Sequence, residues 1–249
     1  MTPISKVDFG QLEKAPLSGQ VALVTGGSRG IGRAIARRLA SMGSAVAICG
    51  RDKDALRAAE EELLGQVTGV FSQVADVTSA AEVDQLVHGA ESTLGPISIL
   101  VNNAGIGGFG PAHEKSEADW DRVLNTNLKS VFLVSKAVAP SMIRHGRGDI
   151  INISSLAGKN AFAGGGLYCA SKWGVRGLSA CMAEDLRGHN IRVAVICPGS
   201  VATEFSGRGP KDATKALTAD DVAHAVAMLV TQGPQSFLSE VDLRPLRKA

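Results

Sequence analysis

The chain of 249 residues has few aromatic side chains, few cysteines and almost no net charge. Aromatic residues make up 4% of it, and Tyr168 is its single tyrosine. The formal net charge is +2 with both signs interspersed, so no basic face indicates binding to nucleic acid or to an anionic membrane surface. No apolar stretch has the length of a membrane span, and the segment 1–18 lacks the apolar core of a signal peptide. We therefore expect a cytoplasmic protein with no nucleic-acid partner and no membrane partner.

The thiol and imidazole side chains give no sign of a metal or redox centre. The five histidines show no ligand pattern, and the four cysteines have neither metal-ligand nor redox spacing: Cys49, Cys169, Cys181 and Cys197. We interpret these cysteines as reduced and structural, and we expect no metal site.

What the sequence does contain is an alternation of short apolar runs and helical patterns. Runs typical of strands buried on both faces of a parallel sheet lie at 21–24, 45–48, 67–71, 97–101, 149–153, 191–196 and 237–243. Helical patterns lie between them at 32–42, 53–64, 80–94, 117–144, 168–187 and 219–231. The alternation predicts an α/β Rossmann fold, a doubly wound parallel sheet of about seven strands with helices on both faces. We expect a single dinucleotide-binding catalytic domain at 19–249, preceded by a flexible N-terminal arm at 1–18.

A glycine-rich segment follows the first predicted strand and opens the first helix. It reads Thr25-Gly26-Gly27-Ser28-Arg29-Gly30-Ile31-Gly32. Glycines there let the backbone turn tightly and approach a pyrophosphate, whose charge the start of a helix attracts. The spacing differs from the general G-x-G-x-x-G pattern, and glycine clusters also form ordinary turns. The strand before it and the helix after it favour phosphate binding by a dinucleotide site.

The end of the second predicted strand bears on which dinucleotide binds. It reads Cys49-Gly50-Arg51-Asp52. An acidic residue there would hold the ribose hydroxyls of NAD, and Asp52 is close enough in sequence to leave NAD(H) open. Arg51 and Arg29 offer the two guanidiniums that a 2′-phosphate would need, although solvated surface arginines would look the same in sequence. The sequence favours NADP(H) over NAD(H).

Tyr168 stands four residues before Lys172 in a helical pattern. Four residues is about one helical turn, roughly 6 Å of rise, so the phenol and the ammonium would share one helix face. A cation so close would lower the pKa of the phenol and suit it to proton transfer near neutral pH. The pair alone could arise by chance on an exposed helix.

Taken together, the motifs resemble the short-chain dehydrogenase/reductase family. The shared residues run in order from about Gly19 to Thr203: Thr25-Gly26 with Gly30 and Gly32, Asn102-Asn103-Ala104-Gly105, Asn127, Ser155, Tyr168 with Lys172, and Pro198-Gly199. The resemblance implies an NADP(H)-dependent oxidoreductase. Such an enzyme transfers hydride between the nicotinamide and the carbonyl or secondary alcohol of a small substrate.

The resemblance also implies four catalytic roles. Tyr168 would be the general acid/base, and Ser155 would hydrogen-bond the substrate oxygen. Lys172 would lower the tyrosine pKa and hold the nicotinamide ribose, while Asn127 would support a water leading to Lys172. An asparagine inside a helical pattern is locally unfavourable, which also favours a functional role for Asn127.

Cofactor-binding residues follow from the glycine segment, from Arg51 and from the resemblance. They are Gly26, Ser28, Arg29, Gly30, Ile31, Gly32, Arg51, Asp76, Val77, Asn103, Ala104, Gly105, Tyr168, Lys172, Pro198, Gly199, Val201 and Thr203. By resemblance, Asp76 and Val77 would contact the adenine, 103–105 the adenosine side and 198–203 the nicotinamide. Asp76 could instead cap the next helix, and Asn103 could simply shape a turn.

Substrate choice should depend on three segments, after Gly105, around 156–167 and between 201 and 218. They supply the candidate substrate-binding residues Phe109, Phe162, Leu167 and Phe205, which join Ser155. No charges converge there, so a neutral, fairly apolar carbonyl compound or alcohol is favoured. Cations at 208, 211 and 215 could meet an acidic carrier protein, but a solvated loop is favoured.

The sequence also suggests two alternative functions and an oligomeric state. The ending 240–248 departs from the Val-Asp-Gly-Gly ending of β-ketoacyl carrier-protein reductase-like members, so reduction of a 3-oxoacyl thioester of acyl-carrier protein or CoA ranks second. A non-catalytic dinucleotide-binding regulator ranks last, because the serine, tyrosine and lysine are all present. The family also suggests a homotetramer or homodimer built through the helices at about 117–145 and 168–187, although packing within one subunit would explain their small residues equally well.

Overall fold

The computed structural model describes residues 15–67, 69–205 and 213–247. One sheet contains the strands β1 (Val21–Thr25), β2 (Ala45–Gly50), β3 (Val70–Val74), β4 (Ile99–Asn102), β5 (Gly148–Ile153), β6 (Ile191–Pro198) and β7 (Glu240–Leu243). Their order is β3-β2-β1-β4-β5-β6-β7, and every neighbouring pair is parallel. The predicted parallel sheet of about seven strands is confirmed.

Helices cover both faces of the sheet: α1 (Gly30–Ser41), α2 (Lys53–Leu64), α3 (Ala80–Leu94), α4 (Glu117–Leu124), α5 (Ser130–His145), α6 (Gly166–Leu186) and α7 (Ala219–Val230). Leu39, Leu56 and Val226 place α1, α2 and α7 against one face, in one apolar cluster. The other face is covered by α3, α5 and α6 through a second cluster that includes Val83, Val138 and Ala183. Burial of apolar area on both sides explains why most strand segments are continuous apolar runs.

The largest differences from the predicted strand bounds are at the starts of the third and the last strand. The third strand was expected at 67–71 but lies at Val70–Val74, because the Val67 N–H donates to the Leu63 carbonyl at 3.0 Å and so belongs to the end of α2. The last strand was expected at 237–243 but begins at Glu240, since the Leu238 N–H donates to Gln232 Oε1 at 2.7 Å. In both cases a local hydrogen bond takes a backbone group that the sheet would otherwise use.

The single helix expected at 117–144 is divided by a π-helical turn, Asn125–Lys129, between α4 and α5. Such turns insert one extra residue into a helix and often lie at functional sites. The division places Asn127 at the centre of the turn.

The expected N-terminal arm is only partly described, because residues 1–14 lie outside the described ranges. Leu17 is fully buried, and its N–H donates to the Met42 carbonyl at 2.9 Å. The arm boundary at 18 is therefore wrong for this residue, which packs into the domain. Among the described helices, none combines the length and apolar character that crossing a bilayer requires.

Candidate active site

The site lies at the carboxyl ends of β1, β4 and β5. β1 pairs with β2 on one side and with β4 on the other, so successive crossovers leave the middle of the sheet in opposite directions. A parallel sheet opens a crevice at such a point. Two cavities of about 850 and 290 Å³ are lined by the loops at this edge.

The glycine segment forms a tight turn between β1 and α1. Gly26 and Gly30 adopt positive φ angles of 64° and 50°, and a Cβ at Gly32 would overlap the Gly26 carbonyl oxygen. Asn103 Nδ2 holds this turn by donating to the carbonyls of Thr25 and Gly26 at 3.0 and 3.2 Å. The N-cap residue of α1, Arg29, makes no side-chain capping hydrogen bond, which leaves the first-turn N–H groups for an anion. The turn fits a pyrophosphate.

The smaller cavity brings together residues that lie far apart in the sequence. Its lining includes the predicted cofactor residues Ser28, Arg29, Arg51, Asp76 and Val77. The Asp76 carboxylate accepts hydrogen bonds from the backbone N–H and hydroxyl of Thr78 at 2.9 and 2.8 Å, whereas Ser79 is the N-cap of α3. Asp76 therefore shapes the turn before the helix and does not cap it.

Asp52, the acid that left NAD(H) possible, also lines the smaller cavity, where its carboxylate has two partners within the protein. It is the N-cap of α2, accepting from the Ala55 N–H at 3.0 Å, and it forms an ion pair with Arg29. The helix N–H, and secondarily Arg29, hold the pKa of its carboxyl below its usual value. Gly50, at the end of β2, carries no acidic side chain, and a Cβ there would lie 2.8 Å from Ser28 Oγ, so that the Ser28 hydroxyl would have to rotate away.

Ser155, Tyr168 and Lys172 meet at the end of β5. Lys172 is buried and its Nζ donates to the Ile153 carbonyl at 2.9 Å, while Ser154 Oγ donates to the Lys172 carbonyl at 3.0 Å. These two bonds fix α6 against the strand. Ser155 follows the strand directly, and its hydroxyl accepts from the Ala157 N–H at 3.1 Å and donates to the Pro198 carbonyl at 3.4 Å. The same hydroxyl interacts with the Tyr168 phenol and favours its ionised form.

The protonation of the pair differs from the sequence prediction. Burial raises the pKa of Tyr168 to about 12, although the hydrogen bond with Ser155 opposes that change. Burial also lowers the pKa of Lys172 to about 8. The predicted lowering of the tyrosine pKa by Lys172 is wrong for this structure, because the ammonium is itself desolvated and bound to Ile153. Tyr168 is a protonated acid at neutral pH.

Asn127 is almost fully buried in the π-helical turn. Its Oδ1 accepts from the Ile106 N–H at 2.7 Å, and its Nδ2 donates to the Ile106 carbonyl at 2.9 Å and to Ser171 Oγ at 3.0 Å. The side chain therefore ties the loop after β4 to α6. It lies beside the site, since a Cβ at Gly105 would be 3.3 Å from Asn127 Oδ1 and 3.6 Å from Lys172 Nζ. Its role toward a water stays a prediction.

The larger cavity joins the glycine turn to Tyr168. The remaining predicted residues in its lining are Gly26, Gly30, Ile31, Asn103, Ala104, Gly105, Phe109, Ser155, Lys172, Pro198, Gly199, Val201, Thr203 and Phe205. Phe162 lies at its edge, with its ring centroid 6.2 Å from that of Phe109. Leu167 is buried and lies outside both cavities. It precedes Tyr168 by one residue on α6, so its side chain points in a different direction from the phenol. Its role as a substrate-binding residue stays a prediction that the lining of these two cavities does not support.

Arg33 and Ser171 are among the polar residues at the site that the sequence did not predict. Arg33 lines the larger cavity, and its spacing of four residues from Arg29 on α1 could have revealed it. Ser171 is fully buried and links Asn127 to the Tyr168 carbonyl, to which its hydroxyl donates at 2.7 Å. Nothing in the sequence around Ser171 signals that contact.

Comparison with known proteins gives matches over most of the chain. A family model described as short chain dehydrogenase matches residues 20–214. The chain is 36% identical over 241 residues to the NADP-dependent 3-hydroxy acid dehydrogenase YdfG of Salmonella typhi, covering 92% of this chain and 96% of that protein. It is 43% identical over 190 residues to the granaticin polyketide synthase putative ketoacyl reductase 1 of Streptomyces violaceoruber, covering 76% of this chain and 70% of that protein.

A solved structure and a much longer relative complete the comparison. A metagenomic short-chain oxidoreductase in complex with NADP superposes with a TM-score of 0.82 at 46% identity, covering 94% of this chain and all of that one. The chain also matches glycine betaine reductase ATRR of Emericella nidulans at 33% identity over 98% of its length, but it spans 20% of that protein.

Proposed function

The chain belongs to the short-chain dehydrogenase family, whose model matches residues 20–214, and from this we propose that it is an NADP(H)-dependent oxidoreductase. It transfers hydride between the nicotinamide and the carbonyl or secondary alcohol of a small, fairly apolar substrate. The observation that carries the proposal is one cavity that extends from the glycine turn at Gly26 to Ser155, Tyr168 and Lys172.

The residues at the end of this cavity suit the chemistry of carbonyl reduction. The nicotinamide, when bound, supplies the hydride. Negative charge then grows on the carbonyl oxygen, and the hydroxyls of Ser155 and Tyr168 donate hydrogen bonds to it. Tyr168, which burial keeps protonated, gives up its proton to that oxygen as the general acid. Ser155 and Tyr168 converge because β5 ends at Ile153 and α6 is fixed to that strand end by Lys172.

Residues of the two cavities would hold the cofactor. The N–H groups at the start of α1 would bind the pyrophosphate, and Lys172 would bind the nicotinamide ribose. Arg29 and Arg51 line the smaller cavity and would bind a 2′-phosphate. The preference for NADP(H) is supported further by Gly50, which places no carboxylate at the end of β2, where NAD(H) would need an acid.

The cofactor preference is tested by kcat/KM for NADPH and NADH with the wild type and with Arg51→Ala. We expect a clear NADPH preference that Arg51→Ala reduces through a higher KM for NADPH. A clear NADH preference that is unchanged in the variant would overturn the assignment.

The reaction is tested by NADPH oxidation with ketones, diketones, quinones and acyl thioesters. We expect reduction of simple ketones or diketones. A 3-oxoacyl thioester reductase is the second candidate, favoured by the 43% identity to the granaticin ketoacyl reductase, and acetoacetyl-CoA reduced in preference to all simple ketones would select it. A non-catalytic regulator is disfavoured by the meeting of Ser155, Tyr168 and Lys172 in one cavity. Cofactor binding without turnover of any compound would instead favour it.

We also propose that the protein forms a homotetramer or homodimer and that it is located in the cytoplasm. The oligomer is supported by large apolar side chains that are exposed on the helices expected to form the interface: Trp120 on α4, Phe132 on α5 and Trp173 on α6. Light scattering that gives a monomer mass at micromolar concentration would contradict the oligomer, and fractionation with a membrane pellet would contradict the location.

A further inference from the structure

Two of the seven phenylalanines lie against Tyr168, and a third lies against one of those two. The ring centroids of Phe109 and Phe205 lie 5.3 and 6.0 Å from that of Tyr168, and Phe162 lies 6.2 Å from Phe109. All three rings are tilted against their neighbours, within the distance range of interacting aromatic pairs. Each is nearly half exposed, at 44% for Phe109, 48% for Phe162 and 45% for Phe205. The rings therefore offer uncovered aromatic surface beside the reacting hydroxyl.

The loops that carry these rings are built to hold them there. The Gly110 N–H donates to the Gly164 carbonyl at 2.8 Å and joins the loop after β4 to the loop before α6. A Cβ at Gly107 would lie 2.8 Å from the Phe109 ring, and one at Gly165 would lie 2.7 Å from the Phe162 ring. The rings thus rest directly on glycine backbone, in positions that larger residues would block. We name Phe109, Phe162 and Phe205 the aromatic wall.

The charges in the larger cavity lie away from the aromatic wall or repel anions. Among the described lining residues, Arg29 is the N-cap of α1 and Arg33 lies in its first turn, both at the phosphate end, and Lys172 is bound to the Ile153 carbonyl. The charged neighbour of Phe205 in the lining is Glu204, whose carboxylate would oppose an anionic substrate. The Lys115 ammonium lies beside Gly110 but outside the described lining, so the lining next to the reacting hydroxyl offers aromatic surface and one carboxylate, which suit a neutral ring.

We infer that the preferred substrate is a neutral aryl ketone, or the matching secondary alcohol, whose ring packs against the aromatic wall. This inference rests on the proposed function and narrows it. The carbonyl carbon accepts hydride from NADPH, which becomes NADP⁺, and the C=O π electrons move to the oxygen, which takes the Tyr168 proton. Tyr168 then regains a proton from solvent, so one ketone, one NADPH and one proton give one alcohol and one NADP⁺.

The test compares three ketones with the wild-type enzyme and NADPH: acetophenone, cyclohexyl methyl ketone and 4-acetylbenzoate. Because an aromatic contact adds to simple burial of apolar area, we expect kcat/KM for acetophenone to exceed that for cyclohexyl methyl ketone by about fivefold or more. The carboxylate of 4-acetylbenzoate should lower kcat/KM by about tenfold relative to acetophenone.

Variants of the aromatic wall test whether it causes the preference for acetophenone. Phe109→Leu and Phe205→Leu should lower the ratio of kcat/KM for acetophenone to that for cyclohexyl methyl ketone by about fivefold, through the KM for acetophenone. Phe237→Leu is the matched control, since Phe237 is 39% exposed and lies outside both cavities. That control should leave the ratio unchanged, and circular dichroism should show that all three variants are folded.

Failure of the aryl preference can be distinguished from failure of the proposed function. Equal or better reduction of cyclohexyl methyl ketone or of 4-acetylbenzoate by the wild type would overturn the aryl preference while the proposed function stands. A ratio that the wall variants leave unchanged would also overturn it. If none of the wider ketone, diketone, quinone and thioester panel is reduced, the proposed function falls and this inference falls with it.

Discussion

The chain has one tyrosine, so the ionisation of Tyr168 can be followed in the intact protein without another phenol. We predict that the folded protein forms almost no phenolate between about pH 7 and pH 10. The cause is burial, which raises the pKa of Tyr168 from 10.0 to about 12. The hydrogen bond with Ser155 acts in the opposite direction and is the smaller effect.

The size of the effect follows from that difference. A change from 10.0 to about 12 corresponds to about 3 kcal/mol against the charged phenolate. At about pH 10 a free phenol is half ionised, whereas Tyr168 would be about 1% ionised. Lys172 does not offset this, because its own pKa is lowered to about 8 and most of its charge is lost before that pH. Since the folded-state pKa lies above the unfolded value, folding stability falls as the pH rises from about 10 toward 12.

The assay is the near-ultraviolet absorption of phenolate as a function of pH, with circular dichroism at each point to show that the protein is folded. Tyr168→Phe serves as the blank and should show no titration. Ser155→Ala should move the midpoint further upward, because it removes the one hydrogen bond that lowers the pKa. A midpoint at or below 10.0 in the folded wild type would refute the reasoning from burial.

Two further predictions concern the cofactor site and the π-helical turn. Gly50→Asp should raise the KM for NADPH by about tenfold or more, because its Cβ would press on Ser28 and its charge would repel a phosphate. The control Gly188→Asp, at a position in open space, should leave this KM unchanged, and equal KM values for the two variants would contradict this account of Gly50. Asn127→Ala should lower the free energy of unfolding by about 1–3 kcal/mol, because it removes the hydrogen bonds to the Ile106 N–H and carbonyl. Denaturant unfolding measures this change, and an unchanged free energy of unfolding would show that those bonds contribute nothing.

Helix positions were the most predictable part of the fold. The bounds of α2 and α3 agree with the sequence prediction, because Asp52 and Ser79 cap them by accepting from the N–H groups of Ala55 and Glu82. Capping residues and apolar periodicity are local signals, so a sequence displays them directly. The same holds for the glycine turn and for the Tyr168–Lys172 spacing.

What the sequence could not show depends on contacts between distant segments. The π-helical turn arises where Asn127 bonds to Ile106 and Ser171, a combination with no local signature. The aromatic wall depends on the bond from Gly110 to Gly164, between two loops. The pKa of Tyr168 was predicted with the wrong sign, because proximity to a cation can be read from helical spacing, whereas burial can be read only from the packed structure.

The central claim is that Tyr168 is the proton donor of a hydride-transfer site, and Tyr168→Phe tests it most directly. On any ketone that the wild type reduces with NADPH, we expect the variant to lose about 10²-fold to 10⁴-fold in kcat, with its fold and its NADPH binding retained. A variant that binds NADPH and reduces the same ketone at the wild-type rate would contradict the claim.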